Sequence, residues 1–315
     1  MNNTERCEFK YDQSCKVNGC CSDMEEKKIS YRLKDATTCP ICSFEFHREE
    51  MLTGGGRLIA GKLTDELRRL FEKNAKYGKV YPLAYLVVVC PRCYYSAYPR
   101  DFSEITAGEI EKIRATTQAR INSIKKFFGD ISFERNRDLV LGAASYMLAV
   151  DCYTFRNKQL APTFKKAVSS IRAAWLFSDL AVEMPERPYK KISDFFYQKA
   201  YQFYQDMLEL VQSGAETMEA AGNIGPDYDK NWGYEGILYM NAVLTLKVGA
   251  QEPDMAKRIE NFEKTKRYLS RLFGSGKASK SKPGALIDMT RDLYDRMNQL
   301  LEQWKERTEP GTAQE

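Results

Sequence analysis

The chain is predicted to be mainly α, with a small α+β module near its N-terminus followed by an array of helical hairpins. Three observations predict this. Two Cys-Pro-X-Cys pairs, Cys39/Cys42 and Cys90/Cys93, bracket a stretch with short β-prone runs. From Ser103 onward no segment reads as a strand. Proline and glycine breaks then cut the remainder into blocks of helical length. With 315 residues, 43% of them hydrophobic, the chain has material for about two domains with real cores. The division expected is a flexible cysteine-containing tail at 1–28, a metal-binding module at 29–102, a helical domain at 103–307 and a disordered tail at 308–315.

The module comes first. Its β-prone runs are Phe44–Phe46, Ala84–Cys90 and Tyr94–Tyr98. Between them a helix is expected to start at Thr64 as N-cap, to carry Leu67, Leu70 and Phe71 on one face, and to stop near Gly78. The cysteine pairs are one motif written twice, CPIC and CPRC. A CxxC turn aims two sulfurs at one ion, and proline after the first cysteine stiffens that turn. One knuckle supplies half a tetrahedral thiolate site, so two knuckles supply a closed one. The module is therefore expected to be zinc-ribbon-like, with Cys39, Cys42, Cys90 and Cys93 holding one structural Zn²⁺. Two redox motifs would need a βαβ context that this segment lacks. Zinc knuckles often place glycine after the second cysteine, where the backbone turns left-handed; here Ser43 and Tyr94 stand there. His47, the sole histidine, lies close to the first knuckle and is read as a surface or packing residue. Cys7, Cys15, Cys20 and Cys21 are candidates for a second metal site, with irregular spacing and no CxxC, and Cys152 falls on an apolar helix face.

The helical part opens with Thr106 and Glu109 at capping-box spacing. Ile110, Ile113, Ile121, Ile124 and Phe128 carry one helix to about Phe128. Further helices are expected at roughly 136–155, 162–183, 193–213, 233–249, 254–273 and 284–306. Ala167, Ile171 and Ala174, loosely repeated by Ala200, Tyr204 and Met207, have the small–large–small spacing of a tetratricopeptide unit's second helix. A tetratricopeptide-like array of helical hairpins is therefore expected, an ordinary bundle being the alternative.

Several functions are disfavoured. The longest clean apolar run, Leu83–Cys90, is far short of the roughly 20 residues of a membrane span. No apolar leader is visible, and the expected setting is cytoplasmic, away from membranes. Gly56–Lys62 has the outline of a phosphate loop, but Leu63 replaces the hydroxyl residue that would hold magnesium. A single histidine inside the metal module leaves no credible nucleophile–base pair, so no enzyme is expected.

The chain resembles a bacterial family called domain of unknown function twenty-two twenty-five. The matching residues are Cys39-Pro40-Ile41-Cys42, Tyr81-Pro82 and Val89-Cys90-Pro91-Arg92-Cys93-Tyr94-Tyr95, with Ala173-Ala174-Trp175-Leu176 and the stretch Lys282–Leu293 in the helical part. The resemblance spans roughly residues 30–305. It implies a paired-CPxC zinc segment followed by a tetratricopeptide-like region, and no activity.

The function expected is a non-enzymatic, zinc-stabilised adaptor or scaffold that binds a protein partner through the helical domain. Phe195, Phe196, Tyr197, Tyr201, Phe203 and Tyr204 exceed one buried stripe, and those left over are candidates to line a groove. The alternative is nucleic-acid binding by the module, where Lys62, Arg68, Arg69, Lys73, Lys76, Lys79, Arg92 and Arg100 interleave with Tyr77, Tyr81, Tyr94, Tyr95 and Tyr98. The net charge of +5 is mild, and much of the excess lies in Lys257–Lys282, a further candidate for docking an acidic partner.

Overall fold

A computed structural model describes residues 28–222, 225–273 and 284–308. The four N-terminal cysteines, the 274–283 break with Lys277, Lys280 and Lys282, and the 309–315 tail lie outside the described residues.

The N-terminal part is a set of small antiparallel hairpins. β1 (Ser30–Arg32) pairs with β4 (Glu49–Met51), enclosing β2 (Thr37–Thr38) paired with β3 (Glu45–Phe46). β5 (Ile59–Leu63) pairs with β6 (Arg69–Glu72), and β7 (Val88–Val89) pairs with β8 (Ser96–Ala97). A single 3-10 turn, Pro82–Tyr85, precedes β7.

The helix expected from Thr64 to about Gly78 is not there; a tight turn after β5, and then β6, occupy the first part of that stretch. Thr64 does cap, but it caps a turn. Its hydroxyl accepts the Arg68 N–H at 3.2 Å, while its own N–H donates to the Arg68 carbonyl at 2.8 Å and closes the hairpin. Leu67, Leu70 and Phe71 share no face: Leu67 is fully buried with φ of 57°, and Leu70 is exposed.

Helices follow as α1 (Ala107–Ala115), α2 (Thr117–Phe128), α3 (Leu139–Tyr153), α4 (Pro162–Glu183), α5 (Tyr189–Gln212), α6 (Met218–Ala221), α7 (Gly233–Lys247), α8 (Met255–Ser270) and α9 (Gly284–Thr308). The single helix expected to run to Phe128 is two. Thr116 interrupts it, and its hydroxyl and the Ile113 carbonyl receive the Arg120 guanidinium at 2.5 and 2.8 Å. Local caps explain several starts. The Glu109 carboxylate accepts the Thr106 N–H at 2.7 Å, completing the expected capping box. Asp138 and Asp254 cap α3 and α8.

The helices pack in sequence. Gly142 faces Leu176 at one end of α3 and α4, and Tyr153 faces Lys165 at the other, so these two run antiparallel. α4 and α5 do likewise: Phe177 stacks on Phe196, and Lys166 lies over Phe203. α8 and α9 join through Phe262–Trp304, and Phe273, just past the end of α8, packs on Tyr294. Ala167, Ile171, Ala174, Ala200, Tyr204 and Met207 are all buried at such interfaces. The chain is thus mainly helical with a small strand-rich N-terminal part. One buried apolar cluster runs without a gap from Cys39 to Trp304, so the hairpins share the helices' core. Gly142 marks the closest approach: a Cβ there would lie 2.8 Å from the Ala84 Cα in the 3-10 turn.

Candidate metal centre

The nested hairpin β2–β3 carries Cys39–Cys42, and β7–β8 carries Cys90–Cys93. Their backbones are copies of each other. The Cys39 N–H donates to the Phe44 carbonyl at 2.9 Å and the Ser43 N–H to the Cys39 carbonyl at 2.9 Å. In the second hairpin Cys90 donates to Tyr95 and Tyr94 to Cys90, both again at 2.9 Å. Ser43 and Tyr94 hold φ of 59° and 57°, the left-handed turn expected after each second cysteine. Backbone N–H groups also reach sulfur, Cys42 to the Cys39 Sγ, and Arg92 and Cys93 to the Cys90 Sγ.

The two turns face each other. All four Sγ atoms lie within 4.8 Å of one another, with Cys39–Cys93 and Cys42–Cys90 each at 3.6 Å. A tetrahedral ion with metal–sulfur bonds of about 2.3 Å requires sulfurs about 3.8 Å apart. The donor set therefore fits a metal ion, and these four cysteines form the only group of this kind among the described residues. The crowded thiols of Cys39, Cys90 and Cys93 cannot all ionise by themselves. Hydrogen bonds from Cys39 and Cys93 hold Cys90 down to about 2, while its bond with Cys90 pushes Cys39 up to about 12 and bonds with Cys39 and Cys90 push Cys93 higher still. A bound cation removes that conflict by stabilising every thiolate.

Helices hold both knuckles from behind. Arg114 of α1 donates to the Ile41 carbonyl at 3.0 Å, inside the first turn. Arg120 of α2, almost fully buried, reaches the Cys93 carbonyl at 3.4 Å. Nothing in local sequence singles out these arginines; only the tertiary contact does. A buried ionic network continues the seam. Arg156 donates to Glu109 at 3.2 Å, to the Tyr95 hydroxyl at 2.8 Å and to the Asp101 carbonyl at 3.1 Å. Asp101 in turn accepts the Tyr153 hydroxyl at 2.5 Å and Lys165 at 2.6 Å.

His47 is outside the cluster, exposed, with its Nδ1 2.9 Å from the Leu33 carbonyl. Cys152 is core, its thiol pushed up to about 12 by burial. Gly61 and Lys62 of the phosphate-loop look-alike lie in strand β5. Much of the basic, aromatic set of the module is engaged within the chain. Arg68 pairs with Asp179, Arg69 with Asp229 at 3.1 Å and Lys79 with Glu183 at 3.4 Å. Tyr95 is fully buried, and Tyr94 and Tyr98 donate to or share protons with Ile131 and Ser169. Lys264 of the later basic stretch pairs with Glu209 at 2.8 Å, and Lys266 lies over Tyr294.

The aromatic face of α5 has an occupant that periodicity did not reveal. The turn of β5–β6 inserts among α4, α5 and α7. Glu66 accepts from Trp175, from the Tyr197 hydroxyl at 2.8 Å and from Lys247 at 2.5 Å. The Tyr239 hydroxyl donates to the Asp65 carbonyl at 2.7 Å, and Leu67 is buried behind them. Of the seven aromatics on α5 only Phe195 is exposed, at 51%.

Fold and site together define a mainly helical protein whose small hairpin module is gathered by a four-cysteine centre. The chain belongs to the family described as "Uncharacterized protein conserved in bacteria (DUF2225)", which it matches over residues 33–297. A protein of Borreliella burgdorferi, described as "Uncharacterized protein", is 39% identical over 281 residues, which is 89% of this chain and 100% of that protein. No solved structure matches. Among the described residues no helix is long and apolar enough to cross a membrane.

Proposed function

We propose that this protein is a non-enzymatic adaptor or scaffold, stabilised by one structural Zn²⁺ on Cys39, Cys42, Cys90 and Cys93, and that its helical domain binds a protein partner. The closed four-sulfur geometry carries the reading. Four thiolates complete the coordination of a tetrahedral ion and leave no position for water or substrate, as in structural zinc sites. Zinc suits the role because it has no redox chemistry and takes thiolates in a tetrahedron.

Tetratricopeptide-like stacking of the hairpins from α3 to α5 and from α7 to α9 is part of the proposal, supported by the small residues buried where α4 meets its neighbours. The partner surface is assigned to the outer side of α4 and α5, where Val182 is 81% and Phe195 51% exposed. The nucleic-acid alternative is weakened by the internal pairing of Arg68, Arg69 and Lys79.

The test is site-specific photo-crosslinking in cells with the full-length protein. A photoreactive phenylalanine at position 195 is expected to capture one discrete protein, and the same group at exposed Glu72 to capture none. Equal labelling from both positions, or none from position 195, contradicts the adaptor reading. A salt-sensitive complex with single-stranded RNA would favour the alternative.

A further inference from the structure

A cavity of about 550 Å³ lies between the hairpin module and α4. That is the size of a small-molecule site. Its apolar lining includes Val87 and Val88, from the approach to the second knuckle, with Phe133, Phe164 and Val168. The charged lining is lopsided: Arg32, Arg48, Arg100, Arg137, Lys165 and Arg172 against Glu49, Glu50 and Asp101.

Some of these cations are consumed by the fold. Lys165 is paired with Asp101 at 2.6 Å. Arg172 donates to the Pro226 carbonyl at 2.8 Å and lies over the Tyr98 ring. Arg32 donates to the carbonyls of His47 and Arg135 at 3.1 and 3.0 Å. Arg137 also lies over a ring, that of Phe133, but its hydrogen-bonding capacity is left open. Its Nη2 donates to the Val87 carbonyl at 3.1 Å, but its Nη1 is buried with no partner among the described residues. The carboxylate near it is already engaged, because Glu49 accepts the Arg137 backbone N–H at 2.9 Å and the Ser30 hydroxyl at 2.5 Å. Arg48 repeats the pattern: Nη2 pairs with Glu50 at 3.0 Å, and Nε is buried without a partner. Burial draws the Arg137 guanidinium down to about 10. Buried donors left unmade are rare and costly, and a guanidinium fork is the group best shaped to bind an oxyanion.

We propose that this cavity binds a small organic oxyanion, its carboxylate or phosphate on the Arg137 guanidinium and its apolar body against Val87, Val88, Phe133 and Phe164. The site goes beyond partner binding by the helices and stands independently of it.

Isothermal titration calorimetry on the metal-loaded full-length protein at low salt tests this, with phenylacetate, phenyl phosphate, phenylacetamide and inorganic phosphate as probes. At least one of the two aromatic anions is expected to bind once per chain with Kd below about 1 mM, and whichever is tighter tells carboxylate from phosphate. The neutral amide and inorganic phosphate are expected to bind about tenfold more weakly, as is the better anion to Arg137→Met, with Arg137→Lys intermediate. Amide binding as tight as the anions, no binding by either aromatic anion, or full binding by Arg137→Met overturns the proposal. Should Arg137→Met not fold, methyl NMR of the unaltered protein decides. The better anion must shift the Val87 and Val88 methyls, and shifts confined elsewhere overturn the assignment. Photo-crosslinking at position 195 is a separate readout, so either proposal can fail without the other.

Discussion

Cys39–Cys42 and Cys90–Cys93 sit in hairpins with the same hydrogen bonds and the same left-handed residue, yet their surroundings differ. Strands β2 and β3 are half-buried or exposed at every position, whereas β7 and β8 are buried throughout. The second hairpin rests on α3, with the Ser96 hydroxyl donating to the Ser145 carbonyl at 3.0 Å. The β5–β6 hairpin carries no cysteine at all and is held by its inserted Leu67 and Glu66. Three small hairpins, none stable alone, are thus secured in three ways: by the four-cysteine centre, by a helical platform and by insertion. The four-cysteine centre matters most to the hairpin that has least else.

Chelation of the reduced protein gives the largest expected effect. Amides of the first hairpin, residues 37–46, are expected to lose hydrogen-exchange protection by about a hundredfold or more, while those of 88–97 remain substantially protected on α3. Equal loss in both would erase the distinction between them. Next is the ionic seam beneath the second hairpin. Arg156→Met is expected to destabilise the fold by about 3–5 kcal/mol in urea titrations, because it strands buried Glu109. Burial raises the Glu109 carboxyl, but bonds from Thr106 and Asn157 and the charge of Arg156 outweigh that and hold it below the usual range. Its contribution is therefore complete above the unfolded carboxylate pKa and fades as pH falls through the lower folded value. Glu109→Gln should flatten that acid limb; an unchanged limb would remove Glu109 from the account.

The inserted hairpin comes third. Leu67→Ala is expected to cost about 3 kcal/mol of stability, as for a fully buried leucine, although the residue lies in a turn. A cost below about 0.5 kcal/mol, the usual surface value, would mean that the insertion is not energetically real. The smallest effect sharpens the comparison of the knuckles. Ser43→Gly relieves a left-handed serine and should gain up to about 1 kcal/mol in thermal melts. Tyr94→Gly relieves the same strain but loses the ring packed edge-on against Phe133 and the hydroxyl bond to Ile131, so it should destabilise by about 1–2 kcal/mol.

What could be read from the residues alone follows the range of the interactions. The two paired-cysteine turns and the left-handed Ser43 and Tyr94 are local consequences of CPxC spacing, and the repeated motif signals that the pairs meet. The limits of α4 match the expected 162–183, because Pro162 fits a first helical turn and Pro185 lies just beyond the end. The 64–78 segment misled because a threonine that caps a helix closes a hairpin turn with the same hydroxyl. The break at Thr116 was hidden because its partner Arg120 lies four residues on, a spacing that a continuous helix shares. The Leu67 insertion, the arginines behind the knuckles and the cationic cavity depend on residues from 27 to 174 positions apart, and no local pattern marks them.

The central claim is that four sulfurs from two separate turns close on one zinc ion. Metal quantification together with zinc-edge X-ray absorption on freshly reduced protein tests it directly. The account predicts about one zinc per chain with four sulfur neighbours at about 2.3 Å, and loss of that signal in Cys39→Ser and Cys90→Ser alike. Stoichiometric absence of metal, or a first shell containing nitrogen or oxygen in place of a cysteine sulfur, would contradict it.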